Sequence, residues 1–200
     1  MTMVSGPKKV PLEIVQGDTW EPVFRWYNKD LKVYKSITAV PQTAPVRLTV
    51  TGHGVPDGWT VLVDNVLGMK ELNDVGETPA TLVDANTIEL NAVNAAGFKA
   101  YTSGGTIEYF SPWDLTDYTA RMDVRANIPA TTELLDLDSG SGEITINNTT
   151  KTIKPFLSAV ATAALTWTSG VYDLELVSST SAVVKIAYGP IRVVLKEVTR

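Results

Sequence analysis

Apolar and polar residues alternate with a period of two through most of this chain. The clearest run sets Tyr118, Ala120, Met122 and Val124 against Thr119, Arg121, Asp123 and Arg125. Such a period points successive side chains to opposite faces, so it predicts a half-buried strand. The preceding Pro112-Trp113-Asp114-Leu115-Thr116-Asp117 is turn chemistry that delivers the chain into that strand. Upstream, residues 12–15 and 23–27 read as strands separated by the turn Gln16-Gly17-Asp18. Asn28-Lys29-Asp30 predicts a further turn, after which residues 31–36 lead out of the domain. The polar arm, residues 1–9, is expected to be extended and to order only against a neighbour.

From residue 37 to 110 the strands are short and regularly punctuated. Residues 46–50 alternate and stop at Gly52-His53-Gly54, and Pro56-Asp57-Gly58 is a strong turn signal. Residues 59–63 form the next expected strand, followed by a loop through Gly68-Met69 and Leu72-Asn73. Residues 80–83 and 87–90 predict a hairpin across Asp84-Ala85-Asn86, and residues 106–110 predict a last strand. After the run at 118–124, residues 133–137 and 143–146 predict a hairpin whose loop is residues 138–142. Asn147-Asn148-Thr149 predicts a turn and residues 152–157 a strand. Ser158 followed by alanines predicts one short helix through Leu165, because a serine oxygen accepts from the free N–H groups of a first helical turn. Residues 171–177, 182–188 and 191–198 predict a terminal meander with its last corner at Gly189-Pro190. The expected fold class is all-β: a discontinuous antiparallel β-sandwich of residues 1–36 and 111–200 with one short helix, and an inserted small β-barrel of residues 37–110.

Composition narrows the function classes. A length of 200 residues suits one large or two small domains. The net charge of -5 disfavours a nucleic-acid partner, which asks for a basic face. The sequence has no cysteine, which removes disulfides, thiolate nucleophiles and Cys-ligated zinc together and suits a reducing cytoplasm. No apolar run near the start reads as a leader, and the most apolar segment, residues 156–167, is too short for a bilayer core of about 30 Å. The expectation is a soluble chain without membrane insertion.

The candidate sites are weak in chemistry. Asp136, Asp138, Gly140 and Glu143 have the flavour of a calcium loop but not its spacing, so a solvated loop is expected and no metal. His53 is the single histidine, lies between two glycines and reads as a turn residue, since no nucleophile elbow accompanies it. Asn147 and Asn148 stand in glycosylation sequons but read as turn residues, and Gly104-Gly105 lacks the helix a phosphate loop needs. Trp20, Trp26, Trp59, Trp113 and Trp167 can line a carbohydrate platform, though core and interface anchoring is the favoured reading. No cofactor is expected.

Three stretches carry a family resemblance. They are Ile14-Val15-Gln16-Gly17-Asp18-Thr19-Trp20 with Phe24-Arg25-Trp26; Trp113-Asp114-Leu115-Thr116-Asp117-Tyr118-Thr119-Ala120-Arg121-Met122; and Leu157-Ser158-Ala159 with Ala161-Thr162-Ala163-Ala164-Leu165 and Gly170-Val171-Tyr172-Asp173-Leu174-Glu175-Leu176. In this order they resemble the tail and baseplate proteins of tailed bacteriophages, notably the N-terminal domain of baseplate upper proteins. That family runs its QGDT strand pair almost directly into a DLTGYT strand. Here Asp117 stands at the usual glycine and residues 37–110 intervene. Within the insert, Val46-Arg47-Leu48-Thr49-Val50-Thr51-Gly52-His53-Gly54, Gly68-Met69-Lys70-Glu71-Leu72-Asn73 and Tyr101-Thr102-Ser103-Gly104-Gly105-Thr106 resemble phage tail modules similar to the first catalytic-cysteine half-domain of ubiquitin-activating enzymes. Without cysteine only the barrel scaffold is implied.

The resemblance implies a non-enzymatic structural protein of a tailed-phage virion, in the tail, baseplate or tail-fibre attachment region. It would be made in the bacterial host cytoplasm and partner other virion proteins as a symmetric homo-oligomer, a trimer or ring. A capsid decoration or neck protein is one alternative. A carbohydrate-binding host-adhesion module, with a host surface glycan as ligand, is another. Trp20 and Trp113, large aromatics near domain edges, are the expected interface anchors.

Overall fold

The computed structural model describes residues 2–195. In chain order the strands are β1 (Thr2–Val4), β2 (Lys8–Lys9), β3 (Leu12–Val15), β4 (Phe24–Ser36), β5 (Val46–Thr49), β6 (Trp59–Leu67), β7 (Thr78–Asp84), β8 (Thr87–Leu90) and β9 (Ser103–Pro112). There follow β10 (Thr119–Arg125), β11 (Glu133–Asp138), β12 (Ile144–Asn147), β13 (Thr152–Pro155), β14 (Ser169–Val177) and β15 (Val183–Val194). One short helix, α1 (Ala159–Ala163), precedes β14, and a 3₁₀ turn spans Lys70–Asp74. The protein is all-β, with two sheets rich in antiparallel pairs.

The chain divides into two compact units: an outer one, residues 1–27 and 112–200, and an inner one, residues 28–111. The first boundary therefore falls at Tyr27–Asn28 rather than at residue 36. The expected turn at Asn28-Lys29-Asp30 does not form, and β4 runs through it as one strand. Asn28 satisfies its turn tendency locally, its Oδ1 accepting the Asp30 N–H at 3.0 Å, while the strand continues as a neighbour of β9.

In the outer unit, one sheet has the order β11–β10–β14–β15–β2, with β3 also on β15. The other joins β12, β13, the start of β4 and β1. Both sheets contribute to one core, with Met122 and Val124 from β10, Leu174 and Leu176 from β14, and Phe24 and Ile153 from the opposite sheet. This is the sandwich that the alternating pattern predicts. The expected hairpin over residues 133–146 is absent. β11 pairs with β10 and β12 with β13, so residues 138–142 carry the chain from one sheet to the other. A crossover and a hairpin use the same turn residues, so the local sequence does not distinguish them.

The N-terminal arm and the end of the chain also depart from expectation. β1 pairs in parallel with residues 24–26, and Lys8–Lys9 pair in parallel with Ala187 and Tyr188, so residues 2–4 and 8–9 belong to the sheets. Residues 196–198 of the expected last strand lie outside the described residues. Gly189-Pro190 is no corner, for β15 passes straight through it. A parallel ladder would pair the Val10 C=O with the N–H of residue 190, which proline lacks. The Tyr172 hydroxyl fills the place and donates to Val10 O at 2.9 Å. A Cβ on Gly189 would lie 2.6 Å from that same carbonyl oxygen, so only glycine lets the strands approach.

The inner unit has the order β4–β9–β6–β7–β8–β5. Directly after β4, the Ile37 N–H donates to Gly105 O at 2.9 Å. The Thr38 N–H then donates to Thr49 O, and the Thr49 N–H to Ala39 O, each at 2.9 Å. The last strand thus returns to the first and the sheet closes into a small barrel, filled by Trp59, Leu48, Ile88, Leu90 and Ile107. Gly68 permits the loop after β6, since a Cβ there would sit 2.2 Å from Ala100 O.

Candidate functional site

The stretch in which β9 gives way to β10 is the most organised polar and aromatic constellation of the outer unit. The Trp113 N–H donates to Trp26 O at 3.0 Å, tying the returning chain to the departing one. Above that bond the indoles of Trp26 and Trp113 stack, with centroids 4.2 Å apart and planes 25° apart. Tyr118 meets Trp26 edge-on at 6.1 Å and 87°. Offset-stacked and edge-to-face pairs of this kind each contribute about 0.5–1.5 kcal/mol beyond burial.

The turn between Trp113 and Tyr118 is held by a polar clasp. Asp114 Oδ1 accepts from the Thr116 N–H (3.2 Å), the Thr116 hydroxyl (2.8 Å) and the Asn148 amide (2.9 Å). Asn148 Oδ1 in turn accepts from the Leu115 N–H (2.9 Å) and Lys151 Nζ (2.5 Å). The hydrogen bonds from the Thr116 hydroxyl and N–H, then Asn148, hold the Asp114 carboxyl below the usual carboxylate range. Asp117 takes φ +59°, a left-handed conformation that explains why glycine suits this position and why Asp tolerates it. Asn148 reads in sequence only as a turn residue. Its role depends on residues more than thirty positions away, which no local pattern announces.

A second clasp binds the start of the chain to α1. Ser158 caps the helix as expected, its Oγ accepting the Ala161 N–H at 3.2 Å. Thr162 is fully buried; its hydroxyl accepts the Gly17 N–H at 3.1 Å and donates to Asp18 O at 2.8 Å. Gln16 Nε2 donates to Leu165 O at 2.7 Å, and Trp20 bridges Leu157 through the backbone.

The tryptophans divide by environment. Trp20 is 8% exposed, belongs to the core, and its Nε1 donates to Glu13 O at 2.9 Å. Its burial leaves little ring for a partner, so the anchor role expected of it gives way to a core role. Trp113 is half-buried against the core, under its stack with Trp26. Trp26 and Trp59 are buried and Trp167 is half-buried, so no indole stands exposed as a platform.

The other candidates settle into structural duties. His53 is buried, accepts the Val55 N–H on Nδ1 at 2.9 Å and meets Asp84 O through Nε2 at 2.8 Å. Through these two contacts the ring braces the turn. Asp138 Oδ1 accepts from the Gly140 and Ser141 N–H groups at 2.5 and 2.8 Å, so its carboxylate shapes the crossover. Among the described residues no group of His, Cys, Asp and Glu is arranged to hold a metal ion, and no helix is long and apolar enough to cross a membrane.

A scan against protein-family models and a search of curated proteins find no match for the chain. The class that emerges is an all-β sandwich protein whose chain is interrupted between residues 27 and 112 by a closed barrel.

Proposed function

We propose that this chain is a non-enzymatic structural protein of a tailed-phage virion, acting in the tail, baseplate or tail-fibre attachment region as an assembly scaffold. The observation that carries the proposal is the convergence of the stretches behind the family resemblance. The Gln16-Gly17-Asp18 turn is hydrogen-bonded to the Thr162–Leu165 segment some 149 to 144 positions away. Trp113 of the second stretch is stacked on Trp26 of the first. Residues that resemble the family are therefore the ones that hold this sandwich together, which is how a scaffold motif behaves. Rigid sheets and a self-contained barrel suit a protein whose work is done through contacts.

The test is localisation. Antibody raised against the purified chain is expected to label the tail end of particles from the phage that encodes it, and the chain is expected in purified particles by mass spectrometry. Its absence from particles, or glycosidase, esterase or peptidase turnover by the purified protein, overturns the reading.

A further inference from the structure

We propose that copies of this chain associate head to tail through opposite edges of the larger outer-unit sheet, the β11 edge of one copy against the Lys8–Lys9 edge of the next. The proposal deepens the assembly reading above by naming the occupant, a second copy, and the surface it uses.

The first ground is the unfilled main-chain edge. β11 terminates its sheet on one side and β2 on the other. Ser139 and Ala120 share a hydrogen bond, Ser139 N–H to Ala120 O at 2.9 Å, and the register places Asp136 opposite Asp123. Alternation in an antiparallel ladder then turns the Asp136 N–H and C=O away from β10. On the other edge the Val10 N–H bonds Tyr188 O at 2.8 Å, which turns the Lys9 N–H and C=O outward. Pro7 and Pro11 flank Lys9 with no N–H of their own, so the main chain contributes only a short contact. Charge must supply the rest.

The second ground is that charge. β11 carries Glu133, Asp136 and Asp138. Glu133 is ion-paired with Arg125 at 3.0 Å, and Arg121 on β10 acts on Asp136 only through its field; among the described residues neither Asp136 nor Asp138 makes an ion pair. Lys8 and Lys9 are both exposed, and among the described residues neither has an ion-pair partner. Two copies meeting through the same edge would set acid against acid or lysine against lysine, which is destabilising. Only the unlike pairing is attractive, and it is heterologous. Strand direction agrees. β11, β10, β14 and β15 alternate antiparallel while β2 runs parallel to β15, so a copy in the same orientation brings β2 antiparallel to β11. The inner unit contributes no comparable edge, since its sheet closes on itself.

Sedimentation velocity of the full chain over a concentration series tests this. At low salt the average mass is expected to rise with concentration, and to fall back toward monomer in about 0.5 M salt as the charges are screened. The Lys8→Glu/Lys9→Glu chain is expected to associate about tenfold more weakly or worse. Adding Glu133→Lys and Asp136→Lys to it is expected to restore association, with melting curves verifying that each variant is folded. A monomer at every concentration, or variants that associate like the unaltered chain, overturns the inference. Association that ignores the charge exchange leaves the virion reading standing, whereas a charge-dependent oligomer absent from particles does the reverse.

Discussion

The two units solve the same problem in different ways. An open β-sheet leaves unpaired N–H and C=O groups along its outer strands, and these invite uncontrolled pairing. The inner unit removes its edges by closure, through Thr38, Ala39 and Thr49. The outer unit keeps its edges and guards them. Pro7 and Pro11 interrupt one, and the Trp20 indole caps Glu13 O beside it. A register shift at Val124/Arg125 irregularises the pairing at the other. Closure yields a self-sufficient module, whereas guarded edges leave selected contacts available. The proposed association between copies accordingly uses the outer unit, whose edges stay open.

The largest effect expected concerns independence. Residues 26 and 113 are joined by a hydrogen bond, so deleting residues 28–111 and linking the ends with a short Gly/Ser segment closes a gap already small. The outer unit alone is expected to melt in one cooperative transition. A chain that melts without cooperativity would falsify the idea that the sandwich is complete without its insert.

Single aromatic truncations sharpen the contrast next. Trp59 is fully buried and its Nε1 donates to Phe110 O at 2.9 Å, so Trp59→Ala is expected to lose about 3–5 kcal/mol. Trp20→Ala is expected to fall in the same range. Trp113→Ala, on a half-buried ring, should lose less, about 1–2 kcal/mol, and remain folded. Urea unfolding of the three variants decides the order. A Trp113 variant that folds but fails to enter particles assigns that ring a contact role as well, while normal entry removes it.

A smaller loss is expected from Tyr172→Phe. The hydroxyl substitutes for the missing Pro190 N–H on Val10 O, and burial together with Asp173 pushes its pKa well above the ordinary tyrosine range. Removing it leaves a part-buried carbonyl without this donor, at a cost of about 1 kcal/mol. An unchanged melting midpoint would mean that the carbonyl finds another donor.

The smallest effect is a gain, and it depends on pH. Burial, then Glu133 and Asp136, raise the Asp123 carboxyl above its usual range, against the pull of Arg125 and Arg121; Asp173 stands opposite it on β14. A carboxyl raised in the folded state favours folding while protonated, so stability falls as pH rises from the ordinary carboxylate range through the folded value. Asp123→Asn is therefore expected to stabilise the protein at neutral pH by up to about 1 kcal/mol, less in high salt. The gain should vanish in acid below the usual carboxylate range. A gain that persists in acid points to packing instead of charge. Asp114 behaves oppositely, since its lowered carboxyl stabilises the fold above the ordinary range and loses that contribution as pH falls through its folded value.

What the sequence determined by itself was local. Period-two alternation specifies which residues face inward, and Tyr118 through Val124, Val46 through Val50 and Tyr172 through Leu176 all turn their predicted faces to a core or to its margin. The Ser158 cap is equally local, because donor and acceptor lie within one helical turn. Tertiary structure decided whatever depended on a distant partner. Asn28-Lys29-Asp30 has turn composition, yet β4 runs on through it with β9 as its neighbour. Gly189-Pro190 has corner composition, yet it serves as a gap in a straight strand, made for Val10 and completed by Tyr172. Residues 138–142 change sheets because β11 and β12 find different neighbours, and Asn148 becomes a clasp because Asp114 returns beside it. Backbone and turn preferences are worth about 1 kcal/mol each, and a strand that gains a ladder and a buried face outweighs them.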